Sequence, residues 1–209
     1  MARSFSQLAI KAEKQRTSLA ISKNPIEKPE LKIHTLGNSI LRKPAKRISK
    51  VDASIRDLVK KMLHSMYSAK GIGLAATQVD IHKRLIVIDV SENRNEKLFL
   101  INPEIISLSN DLDTMEEGCL SVPGFYESVS RPKTVKVSSL DLDGKKIEFE
   151  ANGLLATCIQ HEIDHLNGKL FVDHISMLKR NRIEKKITKL KKEGNLPSRK
   201  KKPDYKSAI

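Results

Sequence analysis

The stretch from Leu154 to Leu166 restricts its own surroundings more than any other part of this sequence. Projected as a helix, it places Leu154, Cys158, His161 and His165 on one stripe, Leu155, Ile159, Ile163 and Leu166 continue round, and only Gln160 and Asp164 lie opposite. A helix with so little polar surface has to be covered by other elements, so it is predicted to lie at the centre of the protein. Asn152 is placed to cap its start, and Asn167-Gly168 to close it, because glycine accepts the left-handed conformation of a helix end.

This helix carries His161-Glu162-Ile163-Asp164-His165, two histidines four apart with a glutamate after the first. A four-residue step returns to the same helix face, so both imidazoles reach one metal ion while Glu162 stands beside it as a proton carrier. Two imidazoles and a carboxylate on the apolar side of an enclosed helix are costly to desolvate unless a metal and water satisfy them. The pattern predicts a hydrolytic metal site.

Two histidines leave a metal short of ligands, and the candidates for the third are the chain's two cysteines, Cys119 and Cys158. Cys158 lies one turn before His161, but helical side chains lean towards the N-terminus, which aims its sulfur away from the ion and makes it pocket wall. Cys119, in Glu117-Gly118-Cys119-Leu120-Ser121, follows a glycine and offers both a thiolate and nearby backbone N–H groups, so it is the preferred ligand. A His2Cys site with an open position lowers the pKa of a bound water towards about 7, and Glu162 can take that proton and pass it to a leaving amine. Hydroxide attack on a carbonyl also needs a donor for the oxyanion. Gly71 to Gln78, which alone would read as a turn after a helix, offers the Gln78 amide together with a backbone N–H.

The remaining sequence supplies the setting. Asp52 caps a predicted helix running to about Ala69, with Ile55, Leu58, Val59, Met62, Leu63 and Met66 on its buried stripe. Strands are predicted at 84–90, 98–101, 133–141 and 145–151, the last two across an Asp143-Gly144 hairpin turn, and a basic helix from Ser176 to Glu193 has Ile183, Ile187 and Leu190 at helical spacing. At 209 residues the chain supports one core of roughly 150 residues, with tails. We divide it into an extension, 1–30, flexible or weakly helical; a catalytic domain, 31–178; and a basic C-terminal helix and tail, 179–209. Two cysteines do not make a disulfide framework, and no apolar run approaches the roughly 20 residues of a membrane span. Of the net charge of +14, the segment Lys179 to Lys206 carries +10, so the body is only mildly basic.

In order and separation, Gly71 to Gln78, Glu117 to Ser121 and Gln160 to Gly168 resemble the three motifs of the peptide deformylase family, over roughly residues 31–178. The resemblance implies an α+β fold, with antiparallel β-sheets packed around the central motif-bearing helix and further N-terminal and C-terminal helices. It implies removal of the formyl group from the N-terminal formylmethionine of nascent polypeptides, with release of formate. It also implies metal ligation by Cys119, His161 and His165, acid/base catalysis by Glu162, and oxyanion stabilisation by the Gln78 side chain and the Leu120 backbone N–H. The Gly73 backbone would align the peptide, and Ile72, Leu154, Thr157 and Cys158 would help form the methionine pocket, Thr157 being the least apolar of them. The family's usual metal is Fe2+, replaceable by Ni2+, Co2+ or, less actively, Zn2+, whereas spacing alone suggests zinc.

In bacterial relatives the C-terminal helix docks on the ribosome near the exit tunnel, and a +10 segment suits phosphate-rich RNA. Removing 179–209 is therefore expected to weaken ribosome binding and spare activity on a short peptide. Two competing readings fit less well. An HExxH metallopeptidase normally takes its third ligand from downstream, and a structural-metal RNA-binding module would have only Tyr205 as an aromatic in its tail. The expected address is bacterial cytoplasm, or an organelle stroma if residues 1–30 are a cleaved transit peptide; the extension's Glu13, Glu27 and Glu30 count against the latter. No feature of the sequence sets an oligomeric state.

Overall fold

A computed structural model describes residues 29–197. The expected extension 1–30 falls almost wholly outside them, and so does the basic tail after Pro197.

Helix α1 (Ala53–Ser68) starts as its sequence dictates: the Asp52 carboxylate accepts from the backbone N–H groups of Ser54 and Ile55. Seven strands follow, and two further helices close the chain: β1 (Gly73–Ala75), β2 (Leu85–Ile88), β3 (Leu98–Leu108), β4 (Leu112–Cys119), β5 (Val122–Pro132), β6 (Thr134–Leu140), β7 (Lys146–Asn152), then α2 (Gly153–Leu166) and α3 (Met177–Lys192). Five strands form an antiparallel sheet in the order β1-β2-β3-β6-β7, and β4 and β5 pair only with each other. The fold is α+β with antiparallel sheets and three helices, the class expected.

Alternation along β2 assigns its two faces. Leu85 and Val87 join the stripe of α1 in one core cluster, while Ile86 and Ile88 join Ala156, Ile159 and Ile163 of α2 in another. The sheet is therefore buried on both sides, and α2 is the enclosed helix that its sequence requires. A third cluster gathers Cys119, Val122 and Val129 of the β4–β5 hairpin with Phe171 and with Ile183 and Ile187 of α3. Those two isoleucines are almost fully buried, at 3% and 0% exposure, so α3 is part of the core rather than a loose appendage. Burying each contributes about 1.5–3 kcal/mol.

The structure corrects several expectations. The 98–101 strand continues to Leu108, past a register shift where the Asn102 side chain accepts from the Ile48 N–H and donates to the Ile48 carbonyl, both at 2.8 Å. The hairpin turn expected at Asp143-Gly144 is present, within a wider loop over 141–145 in which Asp141 Oδ1 accepts from the N–H groups of both Asp143 and Lys145. Asn152 occupies the N-cap of α2 without a side-chain capping bond. Gln160, placed opposite the apolar stripe, is buried, its amide donating to the Pro132 and Ala156 carbonyls. The hairpin was not anticipated at all.

Candidate metal centre

Cys119 ends β4, Leu120 and Ser121 make the tight turn, and Val122 begins β5, so the Glu117–Ser121 motif is the tip of a hairpin. The hairpin closes over α2 and brings Cys119 to the two histidines. Ligand atoms of Cys119, His161 and His165 all lie within 4.8 Å of one another, and Cys119 Sγ is 3.1 Å from His165 Nε2. All three residues are buried.

Each donor is held by a second contact. His161 Nδ1–H donates to Glu117 Oε2 at 2.8 Å, which fixes the tautomer and leaves Nε2 as the donor atom facing the site. The Ser121 N–H reaches Cys119 Sγ at 3.3 Å, and the Thr77 hydroxyl donates to the His165 carbonyl at 3.0 Å. Glu117 passes the support outwards. Arg131 Nε and Nη2 grip it at 2.5 and 3.1 Å, and Arg131 Nη1 donates to Asp164 Oδ2, which also accepts from His174 Nε2. Five side chains thus run from the enclosed imidazole to the partly exposed edge of the turn Phe171–His174.

Burial alone would raise the Glu117 carboxyl, but the bonds from His161 and Arg131 hold it down at about 2. Burial would lower His161, yet Cys119 and Glu117 keep it well above the ordinary histidine range. His165 lies well below that range, through burial and then the facing His161, whose ring centroid is 5.0 Å away. Among the described residues, nothing hydrogen-bonds His165 Nδ1. A buried thiol and two imidazoles, gathered closely enough to share one ion, are donors suited to a divalent transition metal.

The sequence-predicted residues meet at this place. Ile72, Gly73, Gln78, Cys119, Leu120, Leu154, Thr157, Cys158, His161 and Glu162 all line one cleft of about 520 Å³, counting the solvent in its mouth, and His165 stands behind Cys119 with 1% exposure. Gln78 Oε1 accepts from the Ala75 N–H at 2.9 Å, which turns Nε2 towards Ser121 Oγ at 3.0 Å and Cys119 Sγ at 3.6 Å. Its amide protons therefore face the metal donors. Gly73 passes so close to α2 that a Cβ there would fall on Glu162 Oε1 and within 2.8 Å of Cys158 Sγ. Thr157 turns its hydroxyl to Met115 Sδ at 3.4 Å, which satisfies the polar group on that wall. Sequence reasoning gave no role to Met115, Ser121, Glu117 or Arg131. Only the last two carry a charge pattern that hints at pairing, and they are 14 residues apart on different strands.

A buried centre of one thiol and two imidazoles, with a glutamate at its side and an amide donor across the cleft, defines a metal-dependent hydrolase. The sequence model of the polypeptide deformylase family matches residues 30–181. A peptide deformylase of Prochlorococcus marinus is 64% identical over 175 residues, covering 83% of this chain and 86% of that one. Peptide deformylase 1 of Pseudomonas syringae pv. tomato is 58% identical over 159 residues, covering 76% and 95%. The crystal structure of a Synechococcus elongatus peptide deformylase, in complex with actinonin, superposes with a TM-score of 0.77 at 48% identity, over 85% of this chain and 95% of that one. The chain belongs to the polypeptide deformylase family, hydrolases that remove the N-formyl group from nascent peptides.

Proposed function

We propose that Cys119, His161 and His165 hold one divalent ion, Fe2+ in the native protein, and that Glu162 is the acid/base of deformylation. The observation that carries this reading is the convergence of the three donors within 4.8 Å beside the cleft that Glu162 lines. The ion, when bound, supplies Lewis acidity and an acidified water. The chain's own residues do the rest. The Glu162 carboxylate accepts the proton of the water that attacks the formyl carbon and returns it to the departing amine nitrogen. The Gln78 Nε2–H and the Leu120 N–H face the carbonyl oxygen as its charge grows, while the Gly73 backbone aligns the peptide. Ile72, Leu154, Thr157 and Cys158 receive the methionine side chain, and the Thr157–Met115 bond leaves the threonine methyl as the apolar part of that wall.

Formate release from formyl-Met-Ala-Ser tests the assignment, with Glu162→Ala as control. Formate from the unaltered protein and a loss of at least about 100-fold in the variant are expected; undiminished release by Glu162→Ala would refute the role. Anaerobic purification with metal analysis tests iron, and a zinc form as active as the iron form would overturn that choice.

The substrate partner is the formylated end of a nascent chain. Ribosome docking through the exposed cations of α3 is our reading of the +10 segment, and bacterial cytoplasm is our reading of its address; among the described residues, no helix is long and apolar enough to cross a membrane. Because Ile183 and Ile187 sit in the core, deleting 179–209 would expose the third cluster as well as remove charge. Lys185→Glu with Lys189→Glu, both exposed positions, is the cleaner test, and unchanged ribosome co-sedimentation at moderate salt would refute docking.

A further inference from the structure

The face of α3 that enters the core has an unusual last member. Ile183, Ile187 and Lys191 follow at steps of four, so the lysine leans inwards after the isoleucines; it is partly buried, as is Leu190, expected on that stripe. Lys191 Nζ donates to the carbonyls of Thr35 and Leu36, at 3.1 and 2.7 Å. No carboxylate pairs with it among the described residues, so two backbone oxygens are what offset its loss of water. Burial holds this ammonium below the ordinary lysine range.

What the lysine grips is a strap across the reacting centre. The His34 N–H donates to the Gln78 carbonyl at 2.8 Å, and two residues later the Leu36 N–H donates to the Ser121 carbonyl at 2.7 Å. Residues 34–36 therefore bridge the two segments that face the substrate carbonyl, one bearing the Gln78 amide and the other the Leu120 N–H. Both segments lack a regular sheet partner at these points, since Gln78 lies in the short turn Ala76–Val79 and Ser121 in the hairpin tip. Their separation is set by the strap and by the bonds from Gln78 Nε2 to Ser121 Oγ and Cys119 Sγ. Gly37, at φ +92°, turns the chain away immediately after the strap, with Lys191 Nζ 3.7 Å from where its Cβ would stand.

We propose that Lys191 is a positioning residue for deformylation: by holding the Thr35 and Leu36 carbonyls, it fixes the strap that sets Gln78 against the Leu120–Ser121 turn. The inference rests on the deformylase reading and adds that α3 is mechanically joined to the oxyanion donors. Lys191→Met keeps the aliphatic stem and removes the donors. It is expected to lower kcat for formate release about tenfold, with KM for formyl-Met-Ala-Ser within twofold, and Lys191→Arg to restore most of the loss. Lys191→Gln, which keeps N–H donors without charge, falls between them and replaces Lys191→Met if that variant does not fold.

In a Gln78→Ala background, Lys191→Met is expected to cost less than a further twofold, because the group that it positions is gone. Amide exchange in the segment containing Leu36 is expected to quicken in Lys191→Met, with that around Ser121. A variant that melts earlier but keeps kcat within twofold would reduce Lys191 to a stabilising contact, and full multiplication of the two losses would also overturn the link. The exchange arm needs no activity: absence of formate from the unaltered protein counts against the deformylase reading, and unchanged exchange counts against the strap.

Discussion

The five-stranded sheet and the β4–β5 hairpin meet at the same cleft, but they are held by different forces. Around the sheet, Leu74, Leu85, Ile86, Val87, Phe99 and Leu100 are all fully buried, and the restraint on Gly73 and Gln78 is close packing. The hairpin contributes Cys119, Val122 and Val129 to the third core cluster. It is also fastened to α2 by Glu117, Arg131 and Asp164, a carboxylate–guanidinium–carboxylate run that is buried at Glu117 and Arg131 and partly buried at Asp164. One wall of the cleft is therefore fixed by shape alone and the other by shape and charge together. Packing tolerates small changes smoothly, whereas a buried ion pair fails abruptly when one member is removed.

Arg131→Met should give the largest effect, because it strips the buried Glu117 carboxylate and the partly buried Asp164 carboxylate of the cation they share. A loss of about 3–5 kcal/mol in urea unfolding is expected, and a loss under about 1 kcal/mol would mean that packing in the third cluster holds the hairpin without the ion pairs. Acid should act on the same wall. Glu117 is held at about 2 in the folded chain against its ordinary 4.5, so its contribution is complete above pH 4.5 and disappears as pH falls towards 2. That contribution is about 3 kcal/mol. Stability measured across this window should drop in the unaltered protein and stay flatter in Glu117→Gln; parallel curves would remove the charge from the comparison.

On the packed wall, Gly73→Ala sets a methyl group against the ends of the Glu162 and Cys158 side chains rather than against backbone. The fold should survive with little change in melting temperature, while kcat/KM falls on the order of 100-fold because Glu162, our proposed acid/base, is displaced. A comparable fall in stability would show that Gly73 serves the sheet instead. Ile86→Val is the smallest step: about 1 kcal/mol of stability and an unchanged kcat, since the methylene is lost from a side chain that does not line the cleft.

The same contrast explains what could be read in the sequence. The packed half announces itself: α1 by its cap and stripe, β2 by an unbroken apolar run, α2 by apolar residues all round. The charged half does not. Leu112–Cys119 and Val122–Pro132 hold too few alternating apolar residues to signal strands, and Pro123, Gly124 and Pro132 read as breakers. Cys119 was found through its chemistry, not its element. Arg131 and Lys191 could not be found this way, because a cation's burial depends on partners far along the chain; for Lys191 the partners are 155 and 156 residues away. The strap bonds themselves involve only main-chain groups, to which side-chain pattern gives no access.

That long separation also orders events in time. Thr35 and Leu36 leave the ribosome early, and Lys191 is added 155 residues after Leu36. At synthesis rates of roughly 5–20 residues per second, about 8–30 seconds pass before the lysine that fastens the strap exists. His161 and His165 are also translated long after Gln78, so each of the cleft's walls waits for a later piece of chain. An enzyme whose substrates are the leading ends of growing chains is thus one whose own working form is completed only at its trailing end.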